Sequence, residues 1–242
     1  GIGEDWNEAL LDAIARNSTG RADYIDTPDK IVTLFQEEVQ QLQDIAVQGV
    51  KMSLRLSKDI QHRQIYRVIP DIIDLSHTAL SDRDIMVDIG TVDKQNGQTL
   101  LIDFMLPSRA PGRYRIAQAE LAYTVPGETP INESVRSDVI IMLSDDESQT
   151  QDQDGHVMNI VERVTAYQLQ LEAREAVNTG KLDVATVKLR EAATRLLEMG
   201  EAELAAEAEK EAVNLEEQGE MSATGTKKLQ YGTRKLTQRL DG

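Results

Sequence analysis

The chain has 242 residues with 40% hydrophobic content, enough for one or two domains with a real core, and no cysteine, which excludes disulfides and thiolate metal sites. Its formal charge of -16 and pI near 4.6 make nucleic acid a poor partner, because phosphate contacts would oppose long-range repulsion, and 4% aromatic residues leave few rings for base stacking. No apolar run is long enough to span a bilayer, and the lack of cysteine fits a reducing, cytoplasmic location.

Gly1-Ile-Gly3 reads as the end of a buried strand and Asp5 as the cap of a helix whose apolar face is Trp6, Leu10, Ala13 and Ile14, closed by Gly20. Ala22 to Ile25 reads as a short strand. Thr27-Pro28 then starts a second helix with the stripe Ile31, Leu34, Phe35, Val39, Leu42 and Ile45. A strand between two such helices needs a parallel sheet to cover, and the chain supplies no partner strands for it. Residues 1–46 are therefore expected to expose apolar surface through Trp6, Leu10, Ile31, Leu34 and Phe35, and to self-associate. This segment resembles the closing part of a von Willebrand factor type A domain, a Rossmann-like fold. The resemblance implies that the metal-binding half of that domain lies upstream of residue 1.

From 47 to 143 the pattern changes to period two. Val50, Met52, Leu54 and Leu56 alternate with polar residues as a half-buried strand does. Further strands are read at 64–69, 85–89, 99–106, 113–125 and 137–143, punctuated by Asn96-Gly97, Pro111-Gly112 and Pro126-Gly127. Asn96-Gly97 carries the strongest short hairpin signal. Antiparallel strands of this length and spacing predict a two-sheet sandwich.

Residues 144–155 form a polar, acidic linker, and their carboxylates lack the alternating spacing and terminal Glu of an EF-hand loop. From 156 to 220 three helical stripes, separated by Gly-containing turns near Gly180 and Gly200, predict an Ala-rich helical hairpin or bundle. The tail, 221–242, breaks the acidic background with Lys227, Lys228, Arg234, Lys235 and Arg239, accompanied by Leu229, Tyr231 and Leu236. Gly232 is expected to interrupt any helix there. Lys227, Lys228, Tyr231, Arg234, Lys235 and Arg239 are the candidate partner-binding residues, for an acidic protein or for the chain's own acidic helices at 157–217.

No catalytic constellation emerges. His62, His77 and His156 are far apart in sequence, each beside polar residues, and read as surface histidines; no nucleophile elbow, zinc-protease helix, P-loop or dinucleotide fingerprint occurs. The order of parts, an αβα remnant, an antiparallel β-sandwich, an acidic linker, a helical bundle and a basic tail, resembles a group of bacterial proteins led by a von Willebrand factor type A domain. That resemblance implies an α+β multidomain chain, a Mg2+ site only where the Asp-x-Ser-x-Ser loop of the upstream half is present, and a non-enzymatic scaffold role toward an unspecified protein partner. No catalytic, cofactor or metal residue is assigned in this chain. Two competing expectations are a helical adaptor gripping a peptide with the Ala-rich hairpin, and a hydrolase with a carboxylate site in the sandwich.

Overall fold

The computed structural model describes residues 6–17, 20–25, 27–75, 77–95, 97–150 and 153–239. It begins with two helices, α1 (Glu8–Asn17) and α2 (Lys30–Gln43). Asn7 caps α1, its Oδ1 accepting from Leu10 N at 2.9 Å; the expected cap, Asp5, and the Gly1-Ile-Gly3 strand end lie outside the described residues. Between the helices Ile25 holds only an isolated bridge, so the expected strand at 22–25 is not extended into a ladder among the described residues.

The face of α1 is the first correction. Leu10 and Ile14, on the apolar face read for this helix, are 58% and 55% exposed, as expected of Leu10, whereas Asp12, outside that face, is the buried residue at 4% exposure. Burial of Asp12 follows from a set of donors on the far end of the chain. Helix α2 ends before Ile45, which opens strand β1 (Ile45–Leu56) instead of closing the helical stripe, and Val32, Phe35 and Val39 stand exposed while Ile31 and Leu34 are half-buried.

The middle of the chain is a sandwich. Strands β2 (Gln61–Ile69), β3 (Ile73–Asp74), β4 (His77–Ala79), β5 (Asp84–Asp93), β6 (Thr99–Met105), β7 (Gly112–Val125) and β8 (Ile131–Leu143) join β1 in two antiparallel sheets, ordered β4-β5-β1-β7-β8 and β3-β2-β6. Val50, Met52, Leu54 and Leu56 of β1 pack with Ile85, Val87 and Ile89 of β5, Ile116 of β7 and Ile65 of β2. This is the alternation read from the sequence, with inward residues at every second position.

Asn96 lies outside the described residues, and the connection that contains Gly97, at φ +64°, closes no hairpin: it leads from β5, in the larger sheet, to β6, in the smaller one. A left-handed turn residue allows the reversal but does not choose the strand's partner; β6 pairs with β2 from Gln61↔Met105 to Ile69↔Thr99. A long hairpin does turn at Pro126-Gly127, where β7 and β8 pair from Val125↔Ile131 to Gly112↔Leu143.

The linker contains one turn of helix, α3 (Glu147–Thr150), before α4 (Gly155–Asn178), capped by Asp154 through His156 N and Val157 N. Helices α5 (Leu182–Glu198), α6 (Ala202–Gln218) and α7 (Ala223–Arg234) follow, and Lys235–Arg239 forms a 3-10 turn. Alanines 166, 173, 185, 192, 205, 208 and 212 are buried where the helices approach one another. Their core includes Tyr66, Val68 and Ile72. Strand β2 is therefore buried on both faces, Ile65 toward the sandwich and Tyr66 and Val68 toward the bundle, and this ties the two units together.

Helix α7 runs through Gly225 and Gly232, contrary to the expected break. A Cβ at Gly225 would stand 2.1 Å from Glu211 Oε1, and one at Gly232 would stand 2.4 Å from Leu204 Cδ2. Each glycine costs a helix interior about 1 kcal/mol. Both lie where α7 approaches α6, and tertiary packing outweighs that local preference.

Candidate functional site

The polar groups of the molecule converge on α7. Glu8, Asp12 and Ala15 recur on one face of α1 at helical spacing, as Lys227, Tyr231 and Arg234 do on α7, and the two stripes meet. Lys227, 1% exposed, places Nζ 3.4 Å from Glu8 Oε1 and 4.9 Å from the centroid of the Trp6 ring. Arg234 grips Asp12 with both terminal nitrogens, Nη1 donating to Oδ1 at 2.9 Å and Nη2 to Oδ2 at 2.7 Å. Gln230 Nε2 adds a bond to Oδ2 at 2.5 Å and the Tyr231 hydroxyl one to Oδ1 at 3.3 Å. Gln230 in turn accepts from Arg174 of α4. The Asp12 carboxylate thus joins α1 to α7, and α4 is tied in through Gln230.

The electrostatics follow from this geometry. Burial pulls the Arg234 guanidinium down, but its bond to Asp12 and the neighbouring tyrosines raise it further, so it stays charged. The Tyr231 phenol is pushed up, first by burial and then by the Asp12 charge. A buried pair of this kind regains little more than its desolvation cost, so its main effect is to fix how α1 sits on α7. One residue on, Lys235 Nζ lies 2.6 Å from Asp23 Oδ2. Trp6, Tyr24 and Tyr231 form a ring cluster with centroids 5.8 to 6.4 Å apart, closing the contact from the apolar side.

The other end of α7 is anchored too. Ser222 caps it, and Glu211, wholly buried on α6, accepts from Ser222 N at 2.6 Å, Ser222 Oγ at 2.7 Å and Asn214 Nδ2 at 3.0 Å. Beyond α7, Arg234 O accepts from Ile72 N at 2.8 Å, Thr237 Oγ1 donates to Val68 O, and Leu236 O accepts from Arg163 Nη1 at 2.5 Å. A cleft of about 380 Å3 opens beside the Asp12–Arg234 pair, lined among others by Asp12, Arg67, Asp74, Tyr167, Arg174 and Arg234. Its guanidinium groups are already engaged: Arg67 by Asp71 at 2.6 Å, Arg174 by Gln230 and Arg234 by Asp12.

The residues singled out in the tail divide accordingly. Lys227, Tyr231 and Arg234 are buried in contacts with the N-terminal segment, Lys235 is partly exposed beside Asp23, and Lys228 lies 3.9 Å from Glu207 on α6. The Arg239 side chain lies outside the described residues. Leu229 and Leu236 join the bundle core, yet most of the cations meet the acids of residues 8–23 and not those of 157–217. Many acids of the bundle helices face water, but Glu211 is buried under the start of α7. Asp12, Asp23 and Glu211 carried no local signal, although the matched spacing of Glu8/Asp12 and Lys227/Tyr231/Arg234 was available to compare.

A second constellation corrects the reading of the histidines. His62 and His77 meet, Nε2 to Nε2 at 3.0 Å. His156 stays apart, at the start of α4. Among the described residues no group of three or more His, Cys, Asp or Glu could hold a metal ion, and no helix is long and apolar enough to cross a membrane.

Comparison with known proteins places this arrangement. A solved structure described as von Willebrand factor type A from Catenulispora acidiphila aligns over 97% of this chain and 57% of its own, with a TM-score of 0.75 and 19% identity. The two share a fold. At that identity the likeness speaks for the fold alone. The ArnB paralog VWA2 from Sulfolobus acidocaldarius covers 98% of this chain and 55% of its own at 16% identity, with a TM-score of only 0.43. Residues 155–239 match the family model described as the Sll0103-like, C-terminal alpha-helical domain, a span that takes in α4 to α7 and the 3-10 turn. The uncharacterized protein sll0103 of Synechocystis sp. is 24% identical over 138 residues, 54% of this chain. The chain spans about a third of the length of that relative, 32%, so the relative extends well beyond the shared part.

Proposed function

We propose that this chain is the non-enzymatic, structural part of a bacterial von Willebrand factor type A protein, in which α1 and α2 close a type A domain whose metal-binding half lies upstream. The sandwich and bundle act as the scaffold that holds this segment, and recognition of a protein partner through Mg2+ belongs to the upstream half. The observation that carries this reading is the two-sided character of α1. One face is fixed to α7 through Glu8 and Asp12, while the other presents Leu10 and Ile14 to solvent, and Val32, Phe35 and Val39 of α2 are exposed as well. A helix so firmly held yet half uncovered suits an element with a further sheet to cover. Self-association through the same face belongs to this reading.

A peptide-gripping role for the Ala-rich hairpin is less well supported, because its alanines are consumed in contacts between helices. The cleft beside Arg67 and Arg234 gives a hydrolase no favoured group, since Asp12 is committed to Arg234.

The test compares this chain with one extended upstream. Calorimetry is expected to find a stoichiometric micromolar Mg2+ site in the extended chain and only weak, millimolar binding in the present one, as for non-preformed oxygen sites. Binding of a hydrophobic dye should fall in the extended chain. A micromolar Mg2+ site in the present chain, or no site in the extended one, would overturn the proposal.

A further inference from the structure

The two histidines brought together by the sandwich lie outside every contact described for α7. His62 is the second residue of β2, in the three-stranded sheet, and His77 opens β4, the outer strand of the five-stranded sheet. The chain folds back between them, Leu75 N donating to Ile65 O at 2.9 Å, and this returns β4 to the start of β2. The rings stand nearly perpendicular, at 85° with centroids 4.6 Å apart. Neutral imidazole is the form that binds a metal ion.

The distance between the nitrogens, that of an ordinary hydrogen bond, would also suit a shared ion without rearrangement. A zinc-type ion about 2.0 to 2.1 Å from each ring nitrogen sets cis nitrogens about 3.3 Å apart in tetrahedral geometry and about 2.9 Å apart in square-planar geometry. The observed 3.0 Å falls between them. His77 is exposed, leaving room for water at the remaining positions.

We propose that His62 and His77 form a two-ligand site for a borderline divalent transition ion, of the zinc, copper or nickel class, completed by water and clamping the edge strand β4 to β2. Without the ion, one Nε2–H donates to the other Nε2. With it, both rings carry their proton on Nδ1 and offer the Nε2 lone pairs to the metal. Mg2+ and Ca2+, which take oxygen ligands, are not candidates. The site is independent of any Mg2+ site upstream, since neither ligand belongs to the N-terminal segment.

The experiment uses the full chain free of any histidine tag, titrated with Zn2+ and with Ni2+ by calorimetry and by thermal melting. One ion per chain is expected at micromolar affinity, with a higher melting temperature and no competition from Mg2+. His62→Ala and His77→Ala should each weaken binding at least about tenfold and cancel the thermal gain. His156→Ala should change neither. Circular dichroism checks that the variants fold, and substoichiometric Cu2+ on the unmodified chain should broaden the NMR signals of residues near 62 and 77 but not those near 156. Absence of a one-to-one site, binding that survives His77→Ala, or broadening centred on His156 would each overturn the proposal.

Discussion

Asp12 is the residue on which the assembly of the first helix depends. Its carboxylate receives donors from Arg234, Gln230 and Tyr231 while only 4% exposed. Replacing it with Ala leaves the Arg234 charge buried without its partner, and we expect a loss of about 3 to 5 kcal/mol in urea denaturation. Joint replacement, Asp12→Leu with Arg234→Met, should cost markedly less than the sum of the two single changes, because no orphaned charge remains. The two glycines of α7 give a finer test. Gly225→Ala drives a Cβ into Glu211, which is buried and held by Ser222 and Asn214, so a net loss of about 1 to 3 kcal/mol is expected despite the gain in helix propensity. Gly232→Ala meets only the end of the Leu204 side chain, a part that can rotate away. Its stability should stay within about 1 kcal/mol of the parent chain.

Among the elements, β2 is the one that both units need. Tyr66 packs edge-on against Tyr167 with centroids 6.4 Å apart, and its hydroxyl accepts from Gln168 Nε2 at 2.9 Å. Burial pushes the Tyr66 phenol up to about 12, against an ordinary value near 10. The folded state therefore keeps this proton longer than the unfolded chain does. Stability from Tyr66 is fully present below about pH 10 and is lost as the pH rises from there toward 12. Tyr66→Phe should flatten the alkaline limb of a stability curve between those values, and ultraviolet titration should show one fewer late-ionising tyrosine. An unchanged alkaline limb in the variant would remove Tyr66 from this role.

At the scale of the molecule, α7 joins the bundle, the sandwich and the N-terminal helices. Ending the chain at Met221 should lower the melting temperature and increase dye binding, since it uncovers both α1 and the bundle core. Because Lys227–Glu8 and Arg234–Asp12 are buried, the loss should persist in high salt; the exposed Lys228–Glu207 pair contributes at most about 1 kcal/mol and would be screened. The open face of residues 27–43 calls for a separate measurement. Replacing Val32, Phe35 and Val39 with Glu should give a monodisperse monomer in sedimentation, whereas the parent chain should self-associate with rising concentration. A parent chain that is monomeric and binds no dye would contradict this.

What the sequence determined by itself was periodicity. The alternation of Val50, Met52, Leu54 and Leu56 and the three stripes of the bundle are each encoded within one element, where spacing alone decides which residues share a face. What only the tertiary structure decided was the choice of partners. Asp12 turned inward over Leu10 and Ile14 because of Arg234, 222 positions away. The connection through Gly97 became a crossing between sheets because β6 found β2, and Gly232 remained helical because α6 lies against it. His62 and His77 met through the return of β4. Local propensities amount to about 1 kcal/mol per residue, while the desolvation of a charge or the filling of a close contact amounts to several, so wherever the two disagreed the distant partner prevailed.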